Sequence, residues 1–131
     1  HGAGGFDSTV AKSMLNHGFL PDTISTDLHS GSIGKVLSLA NVMSKFLALG
    51  MSLEEVLHCT ITKPNQIAGF RQIKDQFMIG NPATFTLFEI EEGQFNFADV
   101  HGHNFSGNVR IKPTVTIHNG EIISNSLQDL E

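Results

Sequence analysis

The chain has a single cysteine, Cys59. That excludes an internal disulfide framework and a cysteine-rich zinc site. Set among apolar residues at helical spacing, Cys59 reads as a buried core thiol. Basic residues are also few: eight Lys and Arg against 13 Asp and Glu give a formal net charge of −5. They form no cluster, so a nucleic-acid interface has no footing. No apolar run is long enough to span a bilayer and no secretory signal pattern is present, so a cytoplasmic location is the expectation. Tryptophan and tyrosine are absent beside ten phenylalanines, and nothing specific follows from that. There is no initiator methionine either. The chain opens His1-Gly2-Ala3-Gly4-Gly5-Phe6, which reads as the middle of a loop, and the expectation is a fragment of a longer protein.

Hydrophobic residues make up 40% of the 131 residues and charged ones 16%, enough for a packed core in one ordinary domain or two small ones. The glycines of residues 1–6 allow a phosphate cradle in principle. No P-loop Lys-Ser/Thr follows them, however, so a tight connection into a helix is the better reading. Asp7, Ser8 and Thr9 offer N-cap oxygens, Val10, Ala11, Met14 and Leu15 share a helical face, and Gly18 is a stop. Three β-branched residues within 23–26 predict a short strand entered through Pro21. A helix is predicted over about 36–49, with Leu39, Val42, Met43, Phe46 and Leu47 as its apolar stripe. Ser52 and Glu55 form a capping box, and Leu53, Val56, Leu57, Thr60 and Ile61 continue a second helical face. Pro64 either breaks this pattern or starts a further turn that Gly69 ends.

From about residue 80 the period changes to alternation. Strands are expected over 84–90 and 94–100, with a turn at Glu91-Glu92-Gly93 between them. Val109, Ile111, Val115 and Ile117 alternate with Arg110, Lys112, Thr114 and Thr116. Pro113 interrupts this run and marks an edge or a bulge. Asn119-Gly120 is the strongest hairpin signal, with 121–123 as the return strand. The chain therefore divides into an α/β part, residues 1–69, and a β part, residues 70–131, with a linker or crossing strand between about 70 and 80.

The candidate chemistry centres on Asp27. An acidic residue where a strand becomes a loop is placed as active-site residues are in parallel α/β folds and barrels. Such a carboxylate can ligate a divalent metal and accept the proton of an attacking water. It can equally serve as a helix cap or turn former, and spacing leaves both readings open. The pair His101 and His103 would face one way on a strand, but Gly102, Asn104, Gly107 and Asn108 around them read as a polar loop without a third ligand. His58 has no companion at metal-binding spacing and reads as a packed or surface residue. His17 suits a helix end, and His118 precedes a turn.

The stretches GFLPDTISTDLHS, MSKFLALGMSLEEVL and TITKPNQIAG resemble the C-terminal part of metal-dependent hydrolases of the amidohydrolase superfamily, in particular the dihydroorotase-like amidohydrolase/deacetylase group. HGAGGF resembles that group's loop after the seventh barrel strand. IGNPATFTLFEI resembles its return to a small β-domain, and IKPTVTIHNGEII its closing hairpin. The resemblance implies an α/β fold: the C-terminal portion of a (β/α)8 barrel over 1–69, followed by part of a small β-sandwich over 70–131. It implies hydrolysis of an amide or other C–N bond of a small-molecule substrate by metal-activated water, with zinc the expected divalent metal. Asp27 matches the metal ligand and general base at the end of the eighth strand. His1 and Gly2 match substrate-side positions, and His29 is a further candidate at the pocket mouth. Thr84 stands where the family often has Asp, a change expected to be structural. The family's other metal ligands lie upstream of the matched segment. Alone, this chain is therefore expected to bind no catalytic metal tightly, to be inactive, and to self-associate through faces that the missing N-terminal part of the barrel would cover. The alternative is a free-standing, non-catalytic α+β domain that binds a ligand or partner through its glycine loops at 1–5 and 30–34.

Overall fold

The computed structural model describes residues 5–30, 32, 36–70 and 77–126. Helix α1 (Ser8–Asn16) begins where the Asp7 carboxylate accepts from the Thr9 and Val10 N–H groups at 2.9 and 3.0 Å, satisfying two of the donors that a helix N-terminus leaves open. Its Val10 and Met14 are exposed while Leu15 packs on the core. Helix α2 (Leu39–Ala48) starts three residues later than expected, because Ser38 takes extended dihedrals and accepts from Asn41 N–H at 3.1 Å. Its buried stripe contains Ala40, Val42, Met43, Ser44 and Lys45, whereas Leu39, expected in the stripe, is exposed.

Helix α3 (Leu53–Leu57) carries the expected capping box. Glu55 N–H donates to Ser52 Oγ and Ser52 N–H to Glu55 Oε2. It runs on through a π-helical stretch, His58–Thr62, into α4 (Lys63–Ile67). The widening falls where Pro64 has no N–H to offer the carbonyl four residues earlier. Pro64 thus starts the last helical segment, and Gly69 follows it at φ +69°.

Residues 23–28 form no strand, contrary to expectation. The segment is extended and Ile24 N–H donates to Cys59 O at 2.9 Å. Among the described residues no strand lies beside it to complete a ladder, so its β-branched residues have β dihedral preference without a sheet.

The described sheet has three antiparallel strands in the order β1–β2–β3: β1 (Phe85–Ala98), β2 (Asn104–His118) and β3 (Glu121–Asn125). The turn expected at Glu91-Glu92-Gly93 is absent, and one 14-residue strand replaces the two short ones. The register jumps between Glu92 and Phe95, so this polar, glycine-bearing stretch is an irregularity within the ladder. Arg110 bonds Glu91 and stands 4.6 Å over the Phe95 ring, holding the strand on both sides of the jump. Pro113 lies on the central strand at a second register shift, so it marks a bulge and not an edge. Asn119 and Gly120 make the expected hairpin at φ +51° and +86°, and Thr84 Oγ1 accepts from Asn119 N–H.

Helix α2 lies on β2. Ser44 Oγ donates to Ala40 O at 2.7 Å and accepts from the Ile111 N–H at 2.9 Å, so one buried hydroxyl bolts helix to strand. Ile24, Val36, Ala40, Val42, Met43, Met51, Val56, Cys59 and Ile111 form one cluster. Full burial of a side chain such as Val56 is worth about 1.5–3 kcal/mol. The result is a small α/β piece with an antiparallel sheet. Among the described residues no helix is long and apolar enough to cross a membrane.

Candidate active site

Asp27 sits in a loop built around Ser32. The buried Ser32 hydroxyl lies 2.9 Å from Asp27 O, 3.1 Å from His29 O and 2.9 Å from the His29 N–H it accepts. Ser32 N–H also donates to His29 O, and Val36 N–H to Ser32 O. This knot holds Asp27 at φ +48°, a left-handed conformation that Asp tolerates better than most residues and that costs about 1–2 kcal/mol. Asn119 adopts the same state in a plain hairpin turn, so the conformation alone does not mark a function, but strain of this kind also gathers at functional sites. The Asp27 carboxylate is open to solvent, and Oδ2 lies 4.0 Å from His29 Nε2.

Asp27 lines a cleft of about 470 Å³ together with Gly5, Phe6, Ser32, Lys45 and Val100. Lys45 is only 2% exposed, with Nζ 5.8 Å from the Phe6 ring centroid. Burial pushes the Lys45 ammonium below its ordinary pKa, while the negative charge of Asp99 works against that shift. A wider groove of about 1010 Å³ runs along Leu20, Pro21 and α3. It exposes His58 but contains no strained residue, so the Asp27 cleft is the better candidate.

His1 and Gly2 lie outside the described residues. Among the described ones, no three His, Cys, Asp or Glu side chains are grouped so as to hold a metal ion. Asp27, with His29 beside it, offers at most two ligands, fewer than the three protein ligands of a catalytic zinc centre. The described residues therefore do not by themselves fit a catalytic metal. His101 and His103 do not form a metal pair: His101 Nε2 lies 3.4 Å from Asp7 Oδ2 and His103 Nδ1 3.1 Å from Asp99 Oδ2.

Sequence reasoning passed over Ser32, Lys45 and Asp99. Asp99 is buried and accepts from the Ser8 N–H and hydroxyl and from the His101 and His103 N–H groups. Burial alone would raise its pKa, but these bonds from Ser8 and His103 outweigh it and hold the carboxyl well below the usual carboxylate range. An Asp opening a short glycine-containing connection between strands was the available signal for a turn of this kind.

No protein-family profile matches the chain. A deacetylase of Brucella anthropi is 30% identical over 127 residues, covering 96% of this chain and 31% of that protein. Deacetylase Atu3266 of Agrobacterium fabrum is 32% identical over 103 residues, covering 78% of this chain and 25% of that protein. The crystal structure of a dihydroorotase superposes with a TM-score of 0.85 at 29% identity, over 92% of this chain and 32% of that one. That of an adenine deaminase gives 0.79 at 27% identity, over 95% and 34%. Over nearly its whole length the chain is thus similar to members of the amidohydrolase superfamily. It spans about a third or less of the length of the superfamily members it matches. Among the described residues of this amidohydrolase relative, Asp27 is the acidic side chain that lines the cleft beside Lys45.

Proposed function

We propose that these residues are part of a hydrolase that cleaves C–N bonds in small molecules of the cyclic amide, amidine or N-acyl type. The observation that carries the reading is Asp27: a carboxylate held at φ +48° and open to solvent in a cleft. Likeness to proteins named deacetylase, dihydroorotase and adenine deaminase supports the same chemistry. In this reading residues 1–69 are the last strand–helix elements of a (β/α)8 barrel, residues 70–131 a segment of a β-sandwich domain, and the setting cytoplasmic. Asp27 would contribute one ligand to a divalent metal, zinc by expectation, with the others expected upstream of the matched segment. Such a metal would supply a water of lowered pKa. The Asp27 carboxylate takes a proton from the attacking water and returns it to the leaving nitrogen. His29 at 4.0 Å, with His1 and Gly2, contacts the substrate.

A non-catalytic α+β binding domain is the second reading, favoured by the lack of a metal-ligand set among the described residues. The complete reading frame separates the two. Purified from that frame, the protein is expected to carry stoichiometric divalent metal and to hydrolyse members of a panel of N-acetylated amino acids and small cyclic amides. The 131-residue chain alone is expected to do neither. Stoichiometric zinc with amidase activity in the short chain would overturn this account, and so would a full protein devoid of both.

A further inference from the structure

Asp99 takes no part in the chemistry just described, yet it is 1% exposed and surrounded by donors. Oδ2 accepts from Ser8 N–H at 3.1 Å and Ser8 Oγ at 2.8 Å and lies 3.1 Å from His103 Nδ1; Oδ1 accepts from His101 and His103 N–H, both at 2.9 Å. Ser8 opens α1, and the two histidines belong to the connection between β1 and β2. One carboxylate thus fastens that connection to the start of α1, 91 residues away in sequence. The next residue continues the link, for Val100 N–H donates to Phe6 O at 3.1 Å. Phe6 follows Gly5, which has φ +105° and leaves room for both neighbours. A Cβ there would lie 3.2 Å from Asp27 Oδ2 and 3.2 Å from Val100 Cγ1. The residues that Asp99 anchors, Val100 and the 5–6 backbone, therefore line the same cleft as Asp27.

We propose that Asp99 is a positioning residue: by locking the β1–β2 connection onto the start of α1 it sets the side of the cleft, formed by Gly5, Phe6 and Val100, that borders the Asp27 loop. The proposal depends on the Asp27 reading above for its catalytic consequence, though not for its structural one. A buried carboxylate with several donors can hold geometry far more rigidly than an apolar contact, because each bond is directional and charge-assisted. A displacement of about 1 Å at a catalytic group can lower turnover by about 10²-fold.

The test uses the protein of the complete reading frame and the variants Asp99→Asn and Val100→Ala, the second leaving every bond to Asp99 in place. Amide hydrogen exchange over residues 24–29 is read beside kcat and KM on the N-acetyl and cyclic amide panel. In Asp99→Asn, exchange over 24–29 is expected to rise and kcat to fall by about tenfold or more, with KM little changed. Val100→Ala is expected to move both in the same direction by less. A variant that is folded and merely less heat-stable, with exchange over 24–29 and kcat unchanged, would overturn the proposal. If Asp99→Asn fails to fold, Ser8→Ala, which removes the 2.8 Å bond from Ser8 Oγ to Asp99 Oδ2, decides by the same two readouts. If the wild-type protein hydrolyses nothing, the functional reading has failed, and exchange over 24–29 alone decides whether Asp99 positions Asp27.

Discussion

Gly107 on β2 lies so close to Ala48 at the end of α2 that a Cβ at position 107 would stand 2.7 Å from the Ala48 Cβ. That approach is shorter than packed carbons tolerate, and it sets how near the helix comes to the sheet. Gly107→Ala is expected to destabilise the fold by about 1–3 kcal/mol through overpacking. Ala48→Gly in the same background is expected to restore part of that, less a helix-propensity cost of up to about 1 kcal/mol. Chemical denaturation of the two single variants and the double variant measures the coupling. A neutral Gly107→Ala would mean that the helix sits farther from β2.

Acid is expected to weaken the fold through Asp99. Its folded pKa is depressed below the unfolded value of about 3.9. The stability it contributes is thus fully present above that unfolded value and is lost as pH falls toward the folded one. Unfolding midpoints should drop below about pH 4, with a shallower slope in Asp99→Asn. Glu55 and Glu91 are also lowered, by bonds from Ser52 and Arg110. Both are half-buried and contribute to the slope that remains. Equal slopes in wild type and Asp99→Asn would contradict the assignment.

Apolar side chains stand uncovered on several elements: Val10 and Met14 on α1, Phe19 and Leu20 after it, and Ile122 and Ile123 on β3. Strands β1 and β3 are also the two edges of the described sheet, and edges recruit partners. The 131-residue chain by itself is expected to self-associate at micromolar concentration. Sedimentation equilibrium checks this, and a single monomeric species would count against it.

Local signals were legible wherever backbone groups are satisfied by near neighbours. The Ser52–Glu55 box, the Asp7 cap and the Asn119-Gly120 hairpin all lie as expected, because each needs only residues a few positions apart. What failed depended on distant partners. Residues 23–26 have strand-forming side chains but no described strand beside them. Glu91-Glu92-Gly93 has the composition of a turn, yet pairing with Arg110 and Val109 draws it into the ladder. At the site, Asp27 was singled out as the end of an expected strand, and the segment before it is extended without being one. Its left-handed backbone was not legible, since that depends on Ser32 five residues on. Asp99 is unreadable locally because Ser8, 91 residues away, supplies two of its bonds.

The role of Asp27 is tested most directly by the turnover of Asp27→Asn in the protein of the complete reading frame, with its fold verified. The amide has nearly the same shape but cannot accept the proton of an attacking water. The account predicts a fall in kcat of at least about 10²–10⁴-fold. An Asp27→Asn protein that hydrolyses its substrate at the wild-type rate would contradict it.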